Sequence, residues 1–317
     1  MWVVNNRKIF YTISGLLVLA SILSLVIWGV KPGIDFTGGT LVEVQYPHGR
    51  PPQVDITQAL SKIDAGVSVR SSGSDEYIVR MKPVDQSQKS SVMNALNLTY
   101  ANNTPLVAST TGNFASTSTT SVSVATVKTF DSIGPVLGAE ALRKSYVSII
   151  LVIIGIVLFI TFAFRKVSEP VSSWKYGLTA IIALIHDVII PVGVFSVLGH
   201  FFGYEVDTLF VTALLVILGF SVHDTIVVFD RVRENLRLSA AKKPFGEVVG
   251  QSISQTFTRS INTSLTTLIA LVVLYILGGS TTEHFALALI VGIAAGTYSS
   301  IFIGSPLLVT IEKWGKK

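Results

Sequence analysis

Long apolar runs separated by short polar ones dominate this chain, and one stretch near the amino end breaks the pattern. Ile9–Trp28 gives about twenty mostly apolar residues, enough for a helix to cross the hydrocarbon core of a bilayer. It lacks the shorter core and small-residue cleavage site of a secretory signal, so it reads as a retained first helix over residues 9–29. Five further runs follow, at 146–164, 177–198, 208–229, 261–277 and 285–311, and together they form a five-helix bundle over residues 144–311. The last run is long enough to require tilt, or to continue beyond the membrane at one end.

Residues 30–143 have a different character. Apolar residues alternate in Thr40–Tyr46 (TLVEVQY), which predicts a strand. Pro51–Ile63 has helical spacing, with Val54, Ile56, Leu60 and Ile63 as its apolar positions. Val67–Ser71 and Tyr77–Met81 alternate around Ser72-Gly73-Ser74-Asp75, a hairpin signal. Asp85–Leu98 reads as a second helix, Ser109–Ser123 as a Ser/Thr-rich loop and Val122–Phe130 as a last strand. The order β-α-β-β-α-β is that of a ferredoxin-like unit. The expected fold is therefore a polytopic α-helical membrane protein of six transmembrane helices, with one small extracytoplasmic α+β domain between helices 1 and 2.

Composition agrees with the pattern. Half of the residues are hydrophobic and 14% are charged, more apolar surface than a soluble domain of this length could hide. The net charge of +5 is then a topology signal, not a nucleic-acid signal. Arg165, Lys166 and Lys175 fall in one loop, Arg231, Arg233, Arg237, Lys242, Lys243 and Arg259 in another, and Lys313, Lys316 and Lys317 at the carboxyl end. The alternate loops, Gly199–Asp207 and Gly278–His284, contain no Lys or Arg. The positive-inside rule places both ends in the cytoplasm, with 312–317 as a cytoplasmic tail and 30–143 outside. The absence of cysteine excludes disulfides, thiolate metal sites and Cys nucleophiles.

Chemistry concentrates in Gly219–Asn235 (GFSVHDTIVVFDRVREN), where Asp224 lies inside the end of an apolar span. A carboxylate near a transmembrane helix centre costs about 2.5–3.5 kcal/mol, so it belongs to an ion or proton path or to a buried polar contact. Its helical face includes Ile217, Phe220, Ser221, Val228 and Arg231. Arg259, just before the fifth span, is the candidate partner. Arg cannot release its proton, so the carboxylate is the member that switches. Protonating it would strand a buried guanidinium at a cost of several kcal/mol unless the helices move. A proton descending 100 mV releases about 2.3 kcal/mol, with about 1.4 kcal/mol more per pH unit, which is comparable. The alternatives are a purely structural Asp224 and an Arg259 that only flanks the membrane.

His186-Asp187 in the third span repeats the dipeptide His223-Asp224. Adjacent helical residues point about 100° apart, so neither dipeptide chelates an ion by itself, and no third cluster completes a metal site. Asp187, His186 and His223 remain candidates for a proton or water route, against structural hydrogen bonding. Pro191 removes one helix hydrogen bond and is expected to kink the span. Gly292, Gly296, Ser300 and Gly304 recur every fourth residue as a stripe for close helix packing. The run Thr263-Ser264-Leu265-Thr266-Thr267 is expected to add interhelical hydrogen bonds. Ser221-Val222-His223-Asp224 contains triad residue types without triad geometry, and no catalytic residue, metal or cofactor is expected.

Several stretches resemble the SecF subunits of the bacterial SecD/SecF protein-export family, within the resistance-nodulation-division superfamily. They are Gly33-Ile34-Asp35-Phe36-Thr37-Gly38-Gly39-Thr40, Ile133-Gly134-Pro135-Val136-Leu137-Gly138, His186-Asp187-Val188, Gly219–Asn235 and Arg259–Gly279. The resemblance implies a six-helix half-transporter that pairs with SecD around a pseudo-two-fold axis, near the SecY channel and the SecA motor. It implies a proton-motive-force-coupled accessory subunit, not an enzyme, in the bacterial inner membrane among its lipids. That subunit assists the movement and release of unfolded secreted polypeptides. The family's proton-responsive Asp matches Asp224 and its functional Arg matches Arg259; Asp35, Phe36, Thr37, Gly38 and Gly39 form a family motif. Where the family pattern has Asn before the acid, this chain has His223, itself titratable. The alternative is a half-size proton-driven exporter of lipids or drugs, which would need a sizeable apolar pocket outside the membrane. A passive assembly subunit is a third reading.

Overall fold

A computed structural model describes residues 1–47, 49–103, 125–164, 172–239 and 243–314. The predicted loop at Ser109–Ser123 and the basic residues Arg165, Lys166, Lys242, Lys316 and Lys317 lie outside them. The chain divides into two compact units, one of residues 1–31 with 144–317 and one of residues 32–143.

In the first unit, α1 (Trp2–Asn5) precedes α2 (Arg7–Trp28). In the second, α3 (Ile34–Thr37) and β1 (Gly39–Gln45) lead to α4 (Gln53–Ser61), β2 (Ser68–Ser72), β3 (Glu76–Met81), α5 (Gln86–Asn103) and β4 (Thr126–Ile133). The four strands form one antiparallel sheet in the order β2-β3-β1-β4, which is the ferredoxin-like arrangement. Alternation is the cause: Val42, Val44, Val69, Tyr77, Val79 and Met81 share one face and bury it against Ile56 and Leu60 of α4 and Val92 and Leu96 of α5. β4 ends three residues later than the apolar alternation suggested, because pairing with β1 continues through Asp131 and Ser132 to Ile133; residues 122–124 of the expected strand lie outside the described residues.

The rest of the first unit is helical. α6 (Pro135–Ala163) starts in the second unit and runs into the first. It is followed by α7 (Ser173–Phe201), α8 (Thr208–Ser239), α9 (Phe245–Leu277), α10 (Ser280–Ser299) and α11 (Ser305–Trp314). Residues Ser300–Gly304 between the last two form a π-helical turn. Pro306 has no N–H to offer the carbonyl of Phe302, and the Ser305 hydroxyl donates to the Ser300 carbonyl at 2.9 Å, so the ladder widens there without a break. Among the described residues six helices are long and apolar enough to cross a membrane: α2, α6, α7, α8, α9 and the α10–α11 continuum.

The helices outrun the apolar segments that announced them, since hydropathy reports transfer into lipid whereas a helix propagates as long as its hydrogen bonds are supported. The polar ends of α8 and α9 show the support. Asn235 Nδ2 donates to Ser252 Oγ and Gln255 Oε1, both at 2.8 Å, and Arg231 Nε donates to Gln255 Oε1 at 2.7 Å. α7 remains one helix through Pro191.

Candidate functional site

The site is organised by the seam between α8 and α10. Gly292 and Gly296 on α10 and Ser300 in the π turn that follows step in register with Ile217, Ser221 and Thr225 on α8. A methyl group on Gly292 would overlap the Ile217 side chain, and one on Gly296 would sit 3.0 Å from Ser221 Cβ. Ser300 Oγ is 2.8 Å from Thr225 Oγ1. Four-residue ridges on both helices interlock, so polar groups beside the glycines are drawn into contact. Gly304 departs from the expected stripe: it lies in the π turn, and a methyl group there would meet its nearest neighbours at ordinary contact distances of 3.7–3.9 Å.

Asp224 is 6% exposed and lies about 24 Å along α8 from Thr208. Ser260 Oγ of α9 donates to its Oδ1 at 2.5 Å, while Oδ2 is buried with no hydrogen-bond partner among the described residues. The expected ion pair with Arg259 is not formed: no described residue makes a salt bridge to Asp224, and Arg259 is exposed. The reason is helical geometry. Neighbours on a helix point about 100° apart, and it is Ser260 that faces α8, so Arg259 is turned outward. Thr256, Ser260 and Ser264 form the buried stripe of α9, whereas Arg259, Asn262, Thr263 and Thr266 are exposed.

A second carboxylate occupies the α7 side of α8. Asp187 is fully buried. His186 Nδ1 lies 2.8 Å from its Oδ1, so neighbouring residues that cannot chelate one ion are joined by a hydrogen bond. Its Oδ2 accepts from Ser221 Oγ of α8 and from Ser299 Oγ of α10, the latter at 2.8 Å. The structure thus gathers Asp224, Asp187, His186, Gly292, Gly296 and Ser300 into one core and leaves His223 exposed, outside it.

Sequence reasoning missed the hydroxyls of Ser260 and Ser299, and it placed Ser221 on the face of Asp224 without foreseeing its bond to Asp187. The signal was available on α9 as Thr256, Ser260 and Ser264 at four-residue spacing. Of the run 263–267, only Ser264 reaches another helix, 2.6 Å from Thr297 Oγ1; Thr263, Thr266 and Thr267 bond back to carbonyls of α9 itself. A second seam, between α2 and α7, was also missed. Ser24 Oγ donates to the Gly193 carbonyl at 3.1 Å, Ser196 Oγ donates to the Ser24 carbonyl at 2.9 Å, and a side chain at Gly193 would collide with Ser21.

In the second unit, the motif 35–39 serves a junction. Asp35, Phe36 and Thr37 form most of α3, capped by Gly38 (φ +73°) and Gly39 (φ +136°), both in backbone regions that favour glycine. A Cβ on Gly38 would lie 2.9 Å from Pro135 Cα, and one on Gly138 would lie 2.9 Å from Gly38 N and Phe36 O. The two glycine-containing stretches are therefore halves of one close contact.

Residues 114–314 match the family described as Protein export membrane protein SecD/SecF, C-terminal, and residues 24–46 match the SecD/SecF GG Motif. The chain is 40% identical to a protein translocase subunit SecF of Thermobaculum terrenum, covering 98% of this chain and 93% of that protein. It is 32% identical to one of Escherichia coli O157:H7, covering 95% and 84%. The crystal structure of SecDF, a translocon-associated membrane protein from Thermus thermophilus, superimposes with a TM-score of 0.77 at 30% identity. That likeness covers 99% of this chain but 38% of the SecDF chain, so this chain spans well under half of that protein. With its glycine motif and its membrane bundle both matched, this chain belongs to the SecD/SecF family of protein-export membrane proteins.

Proposed function

We propose that this chain is an accessory subunit of the Sec protein translocase that couples the proton-motive force to the movement and release of secreted polypeptides. What carries the coupling is Asp224: a carboxylate 6% exposed in a lipid-facing bundle, held by one hydroxyl and with its second oxygen unpartnered. Such a group is expensive to keep charged, and a proton is the smallest ligand that relieves the cost.

Arg259 and the exposed polar face of α9 support a partner. Arg259 stands exposed at the start of the fifth apolar span, where a second chain that covers this face and offers a carboxylate would pair its charge. A SecD-type subunit fits, since the solved SecDF chain extends far beyond the part this chain matches. In this reading Arg259 answers the charge state of Asp224 when the helices move, with His223 at the edge of the route. The chain works without enzymatic chemistry. It sits in the inner membrane with both ends in the cytoplasm and residues 30–143 outside, beside a SecY-type channel and the SecA motor.

The test is Asp224→Asn in membrane vesicles containing the whole complex. Completion of secretory-protein transport after initiation is measured with and without a proton gradient. Loss of the gradient-dependent part, with gradient-independent transport intact, is the expected result. Retention of gradient stimulation would overturn the assignment, and lost lipid or drug efflux with export intact would indicate an exporter.

A further inference from the structure

Asp187 presents a charge problem that Asp224 does not resolve. Its carboxyl group is fully buried, with three hydrogen-bond partners: His186 Nδ1 and the hydroxyls of Ser221 and Ser299. An ionised carboxylate can accept from all three of these groups at once. The two hydroxyls are neutral, so they orient around the charge without cancelling it. A lone buried anion in a membrane bundle is costly unless a cation stands beside it.

Among the described residues that contact the dyad, one could carry a positive charge. From α10, Tyr298 stacks on His186, with ring centres 6.3 Å apart. The Tyr298 hydroxyl donates to the Phe10 carbonyl of α2 at 3.2 Å and accepts from Ser14 at 3.4 Å. The charged residues of α2, Arg7 and Lys8, lie in its first turn, away from Ser14. From α8 the contact is Ser221, while Asp224 is bonded to Ser260 on α9. On α7 itself the neighbour is Asp187. His186 is 5% exposed, and its Nε2 is buried with no hydrogen-bond partner among the described residues. A proton on that nitrogen turns the dyad from a net negative charge into a neutral imidazolium–carboxylate pair.

We propose that His186 and Asp187 form a second proton-binding site, loaded at His186 Nε2 and joined to the Asp224 site through α8. The proton arrives from water and returns to it; no bond other than N–H forms or breaks. Ser221 and Asp224 are about one helical turn apart on α8, so each site bears on the same helix, one from α7 and the other from α9. The dyad also reaches α2 through Tyr298. The inference deepens the proton-coupled reading and rests on it for its role in transport, though not for its chemistry.

The test is ¹⁵N magnetic resonance of the histidine-labelled full chain with its SecD-type partner in lipid nanodiscs. His186 is assigned by its through-space contact with the Tyr298 ring, so no variant is required. At about pH 7 both ring nitrogens of His186 are expected to carry protons, in the wild type and in Asp224→Asn alike. Asp187→Asn is expected to abolish that imidazolium signal. A His186 ring that keeps one bare nitrogen from about pH 7 down to pH 5 would overturn the proposal. The transport assay of Asp224→Asn decides the other site independently. An imidazolium at His186 with unchanged gradient stimulation would refute the role of Asp224 and leave this site standing.

Discussion

Gly292→Ala offers the sharpest measure of whether the α8–α10 seam is as close as described. The added methyl would overlap Cδ1 and Cγ1 of Ile217 and lie 3.0 Å from its Cγ2, where carbon atoms are comfortable at about 3.5–4.0 Å. Ile217 is fully buried among Phe210, Ala213, Leu214, Leu289 and Ile293, so it cannot simply swing away. Overpacking of this kind costs about 1–3 kcal/mol. The helix-propensity gain of up to about 1 kcal/mol offsets only part of it. Ile217→Ala alone should cost about 2–5 kcal/mol by leaving a cavity. In the double variant the new methyl enters that cavity, so the two costs should fall short of their sum by about 1–3 kcal/mol. Unfolding by denaturing detergent from mixed micelles, run on all four proteins of the cycle, reads this coupling. Gly304→Ala is the internal control: with neighbours at 3.7–3.9 Å it should be neutral or mildly stabilising. Additivity of the Gly292 and Ile217 changes within about 0.5 kcal/mol would refute the interlocked seam.

Three further outcomes follow from other parts of the molecule. Gly38→Ala forces a side chain into φ +73° and against Pro135, and should destabilise the second unit by about 1–3 kcal/mol, read as faster amide exchange in β1 and β4. Gly193→Val should part α2 from α7 and lower the detergent melting temperature, whereas Gly155→Val, with no atom near its Cβ position, should not. Asp64 accepts backbone N–H bonds from Lys82 at 2.8 Å and Gly66 at 3.0 Å, and these donors hold its carboxyl below the usual range. Because its folded pKa is depressed, Asp64 contributes stability above the unfolded value of about 3.9, and that contribution fades as pH falls through the folded value. Asp64→Asn should therefore cost about 1–3 kcal/mol at neutral pH and flatten the acid limb of the unit's stability profile, followed by amide exchange against pH. An unchanged acid limb would sink this account.

The functional core was legible only in part. Asp224 and Asp187 stand out in the sequence because a carboxylate in an apolar run violates the composition around it. Their partners do not stand out, since serine is common in membrane helices and its hydroxyl is equally content with its own helix carbonyl. Ser264 and Thr263 are adjacent and chemically alike; both bond back to carbonyls of their own helix, yet Ser264 also meets Thr297 across the seam. Arg259 was the natural partner by charge, and the rotation of α9 assigned that place to Ser260.

Hydrophobic run length and the placement of Lys and Arg depend on the chain alone, because partition between water and lipid acts on each segment separately. Hence the six spans, the alternating strands of residues 30–143 and the two buried acids were readable without coordinates. Which face of each span turns inward is different. It depends on where a neighbouring helix leaves room, as Ile217 does against Gly292 and Ser21 against Gly193. Rotating a helix by one residue, about 100°, exchanges Arg259 for Ser260 at no cost in hydropathy. Only the packed bundle, through close contacts that cannot be satisfied in two rotations at once, decides which residue meets the carboxylate.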